Sequence, residues 1–323
     1  MSVLQENIKS DKQLKSSSDR KKYIRKIYSK MINKDSKIEK KRISILGCGW
    51  LGLKLAKRLL QRDITYEIKG STTSFPKLDR FESLGITGYL FDLNPDFSID
   101  HSVLESFFDT DLLIISLPPR LSQNEPGFYP QQIEAIIEAV KQSPVKEIIY
   151  ISSTGIYPDL NRIVKEEDVV LPEQSASPDM VIAENLLTAL RPDKTVSILR
   201  FGGLIGYERI PGKYVKGQKD MTTGSLPVNY IHPDDASEII ITMIESNVCN
   251  ETFNIVAPLH PTRREVYEST CSQFGWESPT FLESSVKPDF KIISADKFSN
   301  FYQYEFIFPD PLQFYYVLTE NLV

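Results

Sequence analysis

The run Gly47-Cys48-Gly49-Trp50-Leu51-Gly52 constrains this chain more than any other six residues. It follows the apolar segment Ile43-Ser44-Ile45-Leu46 and precedes Leu53, Leu55, Ala56, Leu59 and Leu60, which are apolar at helical spacing. A strand, a G-x-G-x-x-G turn and a helix, in that order, form the first half of a dinucleotide-binding unit. Gly47 permits the tight turn, Gly49 lets backbone approach a pyrophosphate, and Gly52 lets helix pack on strand. Trp50 and Leu51 open the helix, whose free N–H groups and partial positive charge suit phosphates.

The next segments repeat the alternation of strand and helix. Strands are predicted at 65–69, 86–91, 111–117, 147–151 and 196–199, with helices near 76–84, 103–108, 133–140 and 178–190. Asp111-Leu112-Leu113-Ile114-Ile115-Ser116-Leu117 is almost wholly apolar, as a parallel strand covered on both faces must be, and Pro118-Pro119 ends it. The fold class is therefore α/β: a Rossmann-type, doubly wound parallel sheet with a smaller C-terminal substrate lobe. The expected division is a basic leader at 1–42, a Rossmann domain at 43–202 and the lobe at 203–323. Some lobe segments, Phe253-Asn254-Ile255-Val256 among them, return to the sheet. Thr262 with Glu265 marks a capping box. The aromatic-rich end, 301–316, is expected to pack the lobe over the cofactor edge.

Charge divides the same way. Residues 1–42 carry fourteen Lys/Arg against five Asp/Glu, and the remainder 24 against 38, so an overall charge of −5 hides a basic leader on an acidic body. An acidic body argues against a nucleic-acid partner. The leader reads first as a disordered, solvated tail or as sequence upstream of a start at Met31. Its alternative is a basic amphipathic helix, from the spacing of Tyr23, Ile24, Ile27, Tyr28, Met31 and Ile32. No apolar run reaches the ~20 residues of a membrane span. Three scattered cysteines make no disulfide framework, and three scattered histidines no metal site; both fit a cytoplasmic protein. Cys48 reads as a small residue tolerated in a tight turn.

Ligands of such sheets sit beyond the carboxyl ends of the strands. The candidate cofactor residues are thus Gly47, Gly49, Trp50, Leu51, Gly52, Ser71, Thr72, Thr73, Leu117, Pro118, Pro119 and Ser152. An NAD site usually carries an acidic residue at the end of the second strand. Here Ser71-Thr72-Thr73 occupies that end, with Lys77 beyond. Hydroxyls and a lysine suit a 2′-phosphate, so the expected cofactor is NADP in preference to NAD.

Taken together, the glycine turn, 151–157 (ISSTGIY), 199–206 (LRFGGLIG) and 229–236 (NYIHPDDA) resemble the short-chain dehydrogenase/reductase superfamily. The likeness is to its extended and atypical, NAD-dependent epimerase/dehydratase-like members, and covers about 43–257. That family uses a Tyr-x-x-x-Lys pair, in which the ammonium lowers the phenol pKa for proton transfer. None of the fifteen tyrosines here has a lysine four residues later. Counting back from Ala183-Glu184 puts Ala176 and Met180 in the Tyr and Lys places. The resemblance makes Ser153 a candidate to bond a substrate carbonyl, and leaves Tyr157 as a candidate acid/base. Asp234 and Asp235, after His232, read as helix-capping and lobe-positioning residues. Arg200 would meet an anionic substrate group or bridge the lobes. The implied function is an oxidoreductase or epimerase acting on a small polar molecule, possibly a nucleotide sugar; the alternative is a non-catalytic NAD(P)-binding sensor.

Overall fold

In the computed structural model, which describes residues 40–62, 66–283 and 288–318, the apolar runs assemble into one parallel seven-stranded sheet. Its strands are β1 (Lys41–Leu46), β2 (Tyr66–Thr72), β3 (Thr87–Leu90), β4 (Leu112–Ile115), β5 (Glu147–Ser153), β7 (Thr195–Phe201) and β10 (Thr252–Ile255). They lie in the order β3-β2-β1-β4-β5-β7-β10. The predicted α/β Rossmann-type sheet is present. Two short pairs lie outside it: β6 (Arg162–Val164) with β11 (Lys291–Ile293), and β8 (Gly203–Leu204) with β9 (Tyr230–Ile231).

The helices are α1 (Trp50–Leu60), α2 (Pro76–Ser83), α3 (His101–Phe108), α4 (Phe128–Lys141), α5 (Pro178–Thr188), α6 (Pro211–Val215), α7 (Pro233–Ser246), α8 (Arg263–Gln273) and α9 (Asp296–Tyr302). They cover both faces of the sheet, which is why β1 and β4 can be apolar without alternation. On one face Leu51, Leu55, Ala56 and Leu59 of α1 pack with Ile239, Ile240 and Met243 of α7. On the other, Ile133, Ile136 and Val140 of α4 pack with Ala183 and Leu187 of α5. Gly52 is required here: a Cβ would stand 3.0 Å from Cγ2 of Ile45, so any larger residue would lift α1 off β1.

The chain winds outward from β1 to β3, then crosses back to β4 on the other side of β1. Ile45 is paired with Gly70 of β2 on one side and Ile114 of β4 on the other. This reversal of strand order opens a crevice at the carboxyl end of β1.

Two boundaries differ from expectation. β1 begins at Lys41, so two residues assigned to the leader belong to the sheet; Arg42 pairs with Asp109 and Asp111 and Lys41 with Glu147. Residues 1–39 of the leader, with the amphipathic spacing at 23–32, lie outside the described residues. β10 does return to the sheet, but the outer lobe also draws β6 from inside the stretch 43–202. Of the aromatic tail, Tyr315 holds Tyr207 in the turn beside the crevice, while Tyr302, Tyr304 and Phe306 pack on the α7–β10 side. There Asp235 accepts from the Tyr304 hydroxyl and the N–H groups of Ile307 and Phe308, holding the tail as a lobe-positioning residue should. His232 caps α7, its ring accepting from the N–H of Asp234, and the capping box of Thr262 and Glu265 opens α8. Among the described residues no helix is long and apolar enough to cross a membrane.

Candidate functional site

The crevice at the end of β1 is the mouth of a cleft of about 640 Å³, within the size range of small-molecule sites. Its floor is the glycine turn. Gly47 has φ +82°, and a Cβ there would lie 2.6 Å from the carbonyl oxygen of Ser116, so only glycine fits. The Gly47 N–H donates to the Ser71 hydroxyl at 2.8 Å, and the Cys48 N–H to the Ser71 carbonyl at 2.9 Å. At Gly49 the situation is reversed: the nearest atom to a Cβ would be 3.9 Å away, so the space above it is open. Gly49 is the N-cap of α1, no side chain caps that end, and the first turn carries no acidic residue. The first N–H groups of α1 have no intrahelical partner and face that opening as an anion site. A dinucleotide diphosphate fits these residues.

The predicted wall residues gather here. Ser71, Thr72, Thr73, Leu117, Pro118, Pro119, Ser152 and Ser153 all line the cleft, with Trp50 and Leu51. Their hydroxyls are not equally available. Ser71 holds the glycine turn, Thr72 accepts from the N–H of Ser74 at 3.1 Å, and Ser152 donates inward to Glu184 at 2.5 Å. Ser152 therefore offers the cleft backbone and Cβ rather than its hydroxyl. Thr73 is exposed at the rim. Ser153 accepts from the N–H of Gly155 at 3.0 Å, which leaves its own proton directed to other acceptors.

Tyr157 is a correction. It does not reach the cleft but is fully buried, donating to Oδ1 of Asn254 at 2.7 Å and accepting from Nη1 of Arg200 at 2.7 Å. Burial drives its phenol far above the ordinary range despite the neighbouring guanidinium. It is a structural link, not an acid/base. Arg200 bridges elements rather than meeting substrate. Its five donors go to Glu184, Tyr157 and the carbonyls of Glu166 and Val169, and both it and Glu184 are buried.

Other lining residues went unnoticed in the sequence. Asp92, Leu93 and Asn94, after β3, form the far wall; the strand-end rule applied to β3 finds them. Met180 lines the cleft near Ser153, an apolar surface where the resemblance places a lysine, while Ala176 is exposed. Arg209 enters the cleft from a turn after β8, where the sequence pattern is weak. A second cleft of about 600 Å³ adjoins the first at Cys48, Gly49, Trp50 and Lys77. It is lined by Lys54, Lys57, Arg58, Lys77 and Arg80. Lys54 and Arg58 are engaged by Asp234 at 3.1 and 3.4 Å. Lys57, Lys77 and Arg80 have no carboxylate within 4 Å among the described residues.

No family model matches this chain. Protein YeeZ of Escherichia coli strain K12 is 32% identical to it over 272 residues, which are 84% of this chain and 98% of that protein. The chain belongs to the YeeZ family. Solved structures place that family's fold. The UDP-Glc/GlcNAc 4-epimerase of Campylobacter jejuni superposes with a TM-score of 0.67 at 17% identity, over 84% of this chain and 96% of the epimerase. The UDP-glucuronic acid 4-epimerase of Bacillus cereus, solved with UDP-glucuronic acid and NAD, gives 0.66 at 18%, over 82% and 93%. A short-chain dehydrogenase/reductase superfamily protein of Agrobacterium tumefaciens with bound NAD gives 0.64 at 14%, over 82% and 92%. The resemblance drawn from 43–257 is borne out: this YeeZ-family chain has the epimerase-like fold of that superfamily.

Proposed function

We propose that the chain binds NADP in the main cleft and is an oxidoreductase or epimerase of a small polar molecule, a nucleotide sugar being the fitting class. The observation that carries this reading is the open, uncapped N-terminus of α1 above Gly49, bordered by Lys57, Lys77 and Arg80 without carboxylate partners among the described residues. What favours NADP over NAD is the end of β2. It presents Thr72 and Thr73 and no carboxylate, and Glu67 lies inside the strand, exposed. A 2′-phosphate suits the cations there and would repel a carboxylate. With the diphosphate at the helix end, Asp92–Asn94 would hold the adenosine and Ser153 and Met180 would line the nicotinamide end.

A nicotinamide held there would supply or accept a hydride. The Ser153 hydroxyl donates to a substrate carbonyl beside it, and Met180 and Leu204 exclude water from that end. No Tyr-x-x-x-Lys pair is present in the sequence to carry the proton. The free cysteines and the solubility of such a fold fit a cytoplasmic protein.

Calorimetric titration tests the reading. NADPH should bind more tightly than NADH, and Gly49→Val should abolish binding while leaving the fold intact. Failure of both nucleotides to bind below roughly millimolar concentration would overturn it. The replacement of the usual pair by Ala176 and Met180 favours a second reading, a cofactor-binding sensor without turnover. Hydride transfer from labelled NADPH to any candidate carbonyl substrate would exclude that one.

A further inference from the structure

The turn at 206–209 is held from several sides. Gly206 has φ +144°, with His232 so close that a Cβ would meet its ring at 2.5 Å. Gly206 and Arg209 exchange backbone hydrogen bonds at 3.1 and 3.2 Å. The Tyr207 N–H donates to the carbonyl of Tyr315 at 2.8 Å, and the Val317 N–H to the carbonyl of Tyr207 at 3.1 Å. The Tyr207 hydroxyl donates to Asp234 at 2.8 Å. This anchorage fixes where the last residue of the turn emerges.

Arg209 emerges over the glycine turn. Its guanidinium carbon lies 3.9 Å from the centre of the Trp50 ring, and Trp50 is the first residue of α1. Its hydrogen bond is a long one, 3.5 Å to the carbonyl of Leu204, and no carboxylate lies within 4 Å among the described residues. The adjacent Glu208 is occupied by the Trp50 indole N–H and faces the second cleft. Stacking on an aromatic face holds a guanidinium in position without using its donors. Arg209 is thus a positioned cation inside the cleft whose hydrogen-bonding capacity is largely unspent.

The geometry points to Arg209 as a ligand of the cofactor diphosphate, beside the N-terminus of α1 on which it stacks. This rests on the dinucleotide reading above. The planar fork of arginine matches a diphosphate, and the adjacent helix N–H groups add further donors. The C-terminal tail, through Tyr315 and Val317, holds the turn that carries Arg209, so the tail acts on the site without touching the ligand.

The test is binding, with Trp50 as reporter in a Trp276→Phe background, where it is the sole tryptophan. NADP+ and 2′-AMP, which lacks the diphosphate, are titrated by calorimetry and by Trp50 emission into the parent chain, Arg209→Ala and Arg209→Lys. Arg209→Ala should bind NADP+ at least about tenfold more weakly, as the loss of a charge-assisted phosphate contact predicts, with 2′-AMP unchanged. Arg209→Lys should recover part of the loss, which a folding defect in the alanine variant would not explain. Equal NADP+ affinity in Arg209→Ala overturns the inference, and so does a parallel loss of 2′-AMP binding. If the parent chain binds no dinucleotide at all, the cofactor reading itself fails and the diphosphate role with it.

Discussion

Ser152 and Ser153 are neighbours at the end of β5, yet they belong to two different regions. Ser152 donates inward to Glu184, joining a closed network in which Arg200, Glu184, Tyr157, Asn254 and Glu166 bond one another across β5, α5, β7 and β10. Ser153 faces the cleft, where Thr73, Lys77 and Arg209 have few protein partners. Alternation along a strand sends successive side chains to opposite sides, and here it separates stability from binding. In the closed network the Arg200 guanidinium and the Ser152 and Tyr157 hydroxyls are answered by protein, while the buried amide nitrogen of Asn254 has no partner among the described residues. In the cleft the answering groups have to come from a ligand.

The sharpest way to break this contrast is to unbalance the closed network. Arg200→Leu leaves the buried Glu184 carboxylate without its cation and the carbonyls of Glu166 and Val169 without this donor. It should cost about 3–5 kcal/mol, read as a shift in the denaturant midpoint. A loss under 1 kcal/mol would mean that the network is hydrated and is no core at all. The double variant Arg200→Leu with Glu184→Leu should recover part of the stability, because an apolar replacement leaves no orphaned charge.

Acid should separate the regions next. His232 is buried between Phe308, Phe314 and Tyr207, and burial lowers its pKa to about 4, against an unfolded value near ~6.5. Asp234, the nearby carboxylate, opposes the shift without cancelling it, and Lys54 adds to it. The unfolded chain therefore takes up a proton that the folded chain refuses. Stability is present above about 6.5 and falls as pH drops toward about 4, by up to roughly 1.4 kcal/mol per pH unit. His232→Asn keeps an acceptor for the Asp234 N–H and should flatten that slope relative to the parent chain. Unfolding curves measured from pH 7 to 4 decide it: parallel slopes in the two proteins would mean that His232 titrates freely.

Tyr157→Phe should have a smaller effect, confined to the closed side. Removing the hydroxyl leaves Oδ1 of Asn254 and one N–H of Arg200 unpaired, at about 1–3 kcal/mol. NADPH affinity should not change. A variant of parental stability but lost turnover would return Tyr157 to the chemistry.

What the sequence made legible follows the same division. Ile43–Leu46, Leu112–Ile115 and Gly47–Gly52 announced the sheet, its switch point and its floor, because burial on both faces and a positive-φ turn leave little choice of residue. The wall residues follow from strand ends, and Asp92–Asn94 stand beyond the end of β3 by the same rule. Side-chain direction was not legible. Ser152, Ser153 and Tyr157 lie in one motif, and nothing local tells that an α5 carboxylate draws one inward or that β10 and β7 close over another. Arg209 was invisible for a similar reason. It depends on a turn anchored by His232 and by Tyr315, which are 83 residues apart in the sequence.

Cys48 lies on the boundary between the two regions and gives the smallest expected effect. It sits inside the glycine turn and lines the cleft, yet its side chain turns down against Gly70, where a Cβ would stand 3.1 Å from its sulfur. Burial pushes the thiol up to about 12, with Lys77 opposing only weakly, so almost no thiolate exists at pH 8. Native protein treated with a thiol reagent at that pH should leave Cys48 unmodified, with or without NADPH, and label it only after unfolding. Peptide mapping distinguishes it from the partly exposed Cys249. Rapid native labelling of Cys48 that NADPH suppresses would place its sulfur in the cleft, and the line drawn between closed core and open site would have to move by one residue.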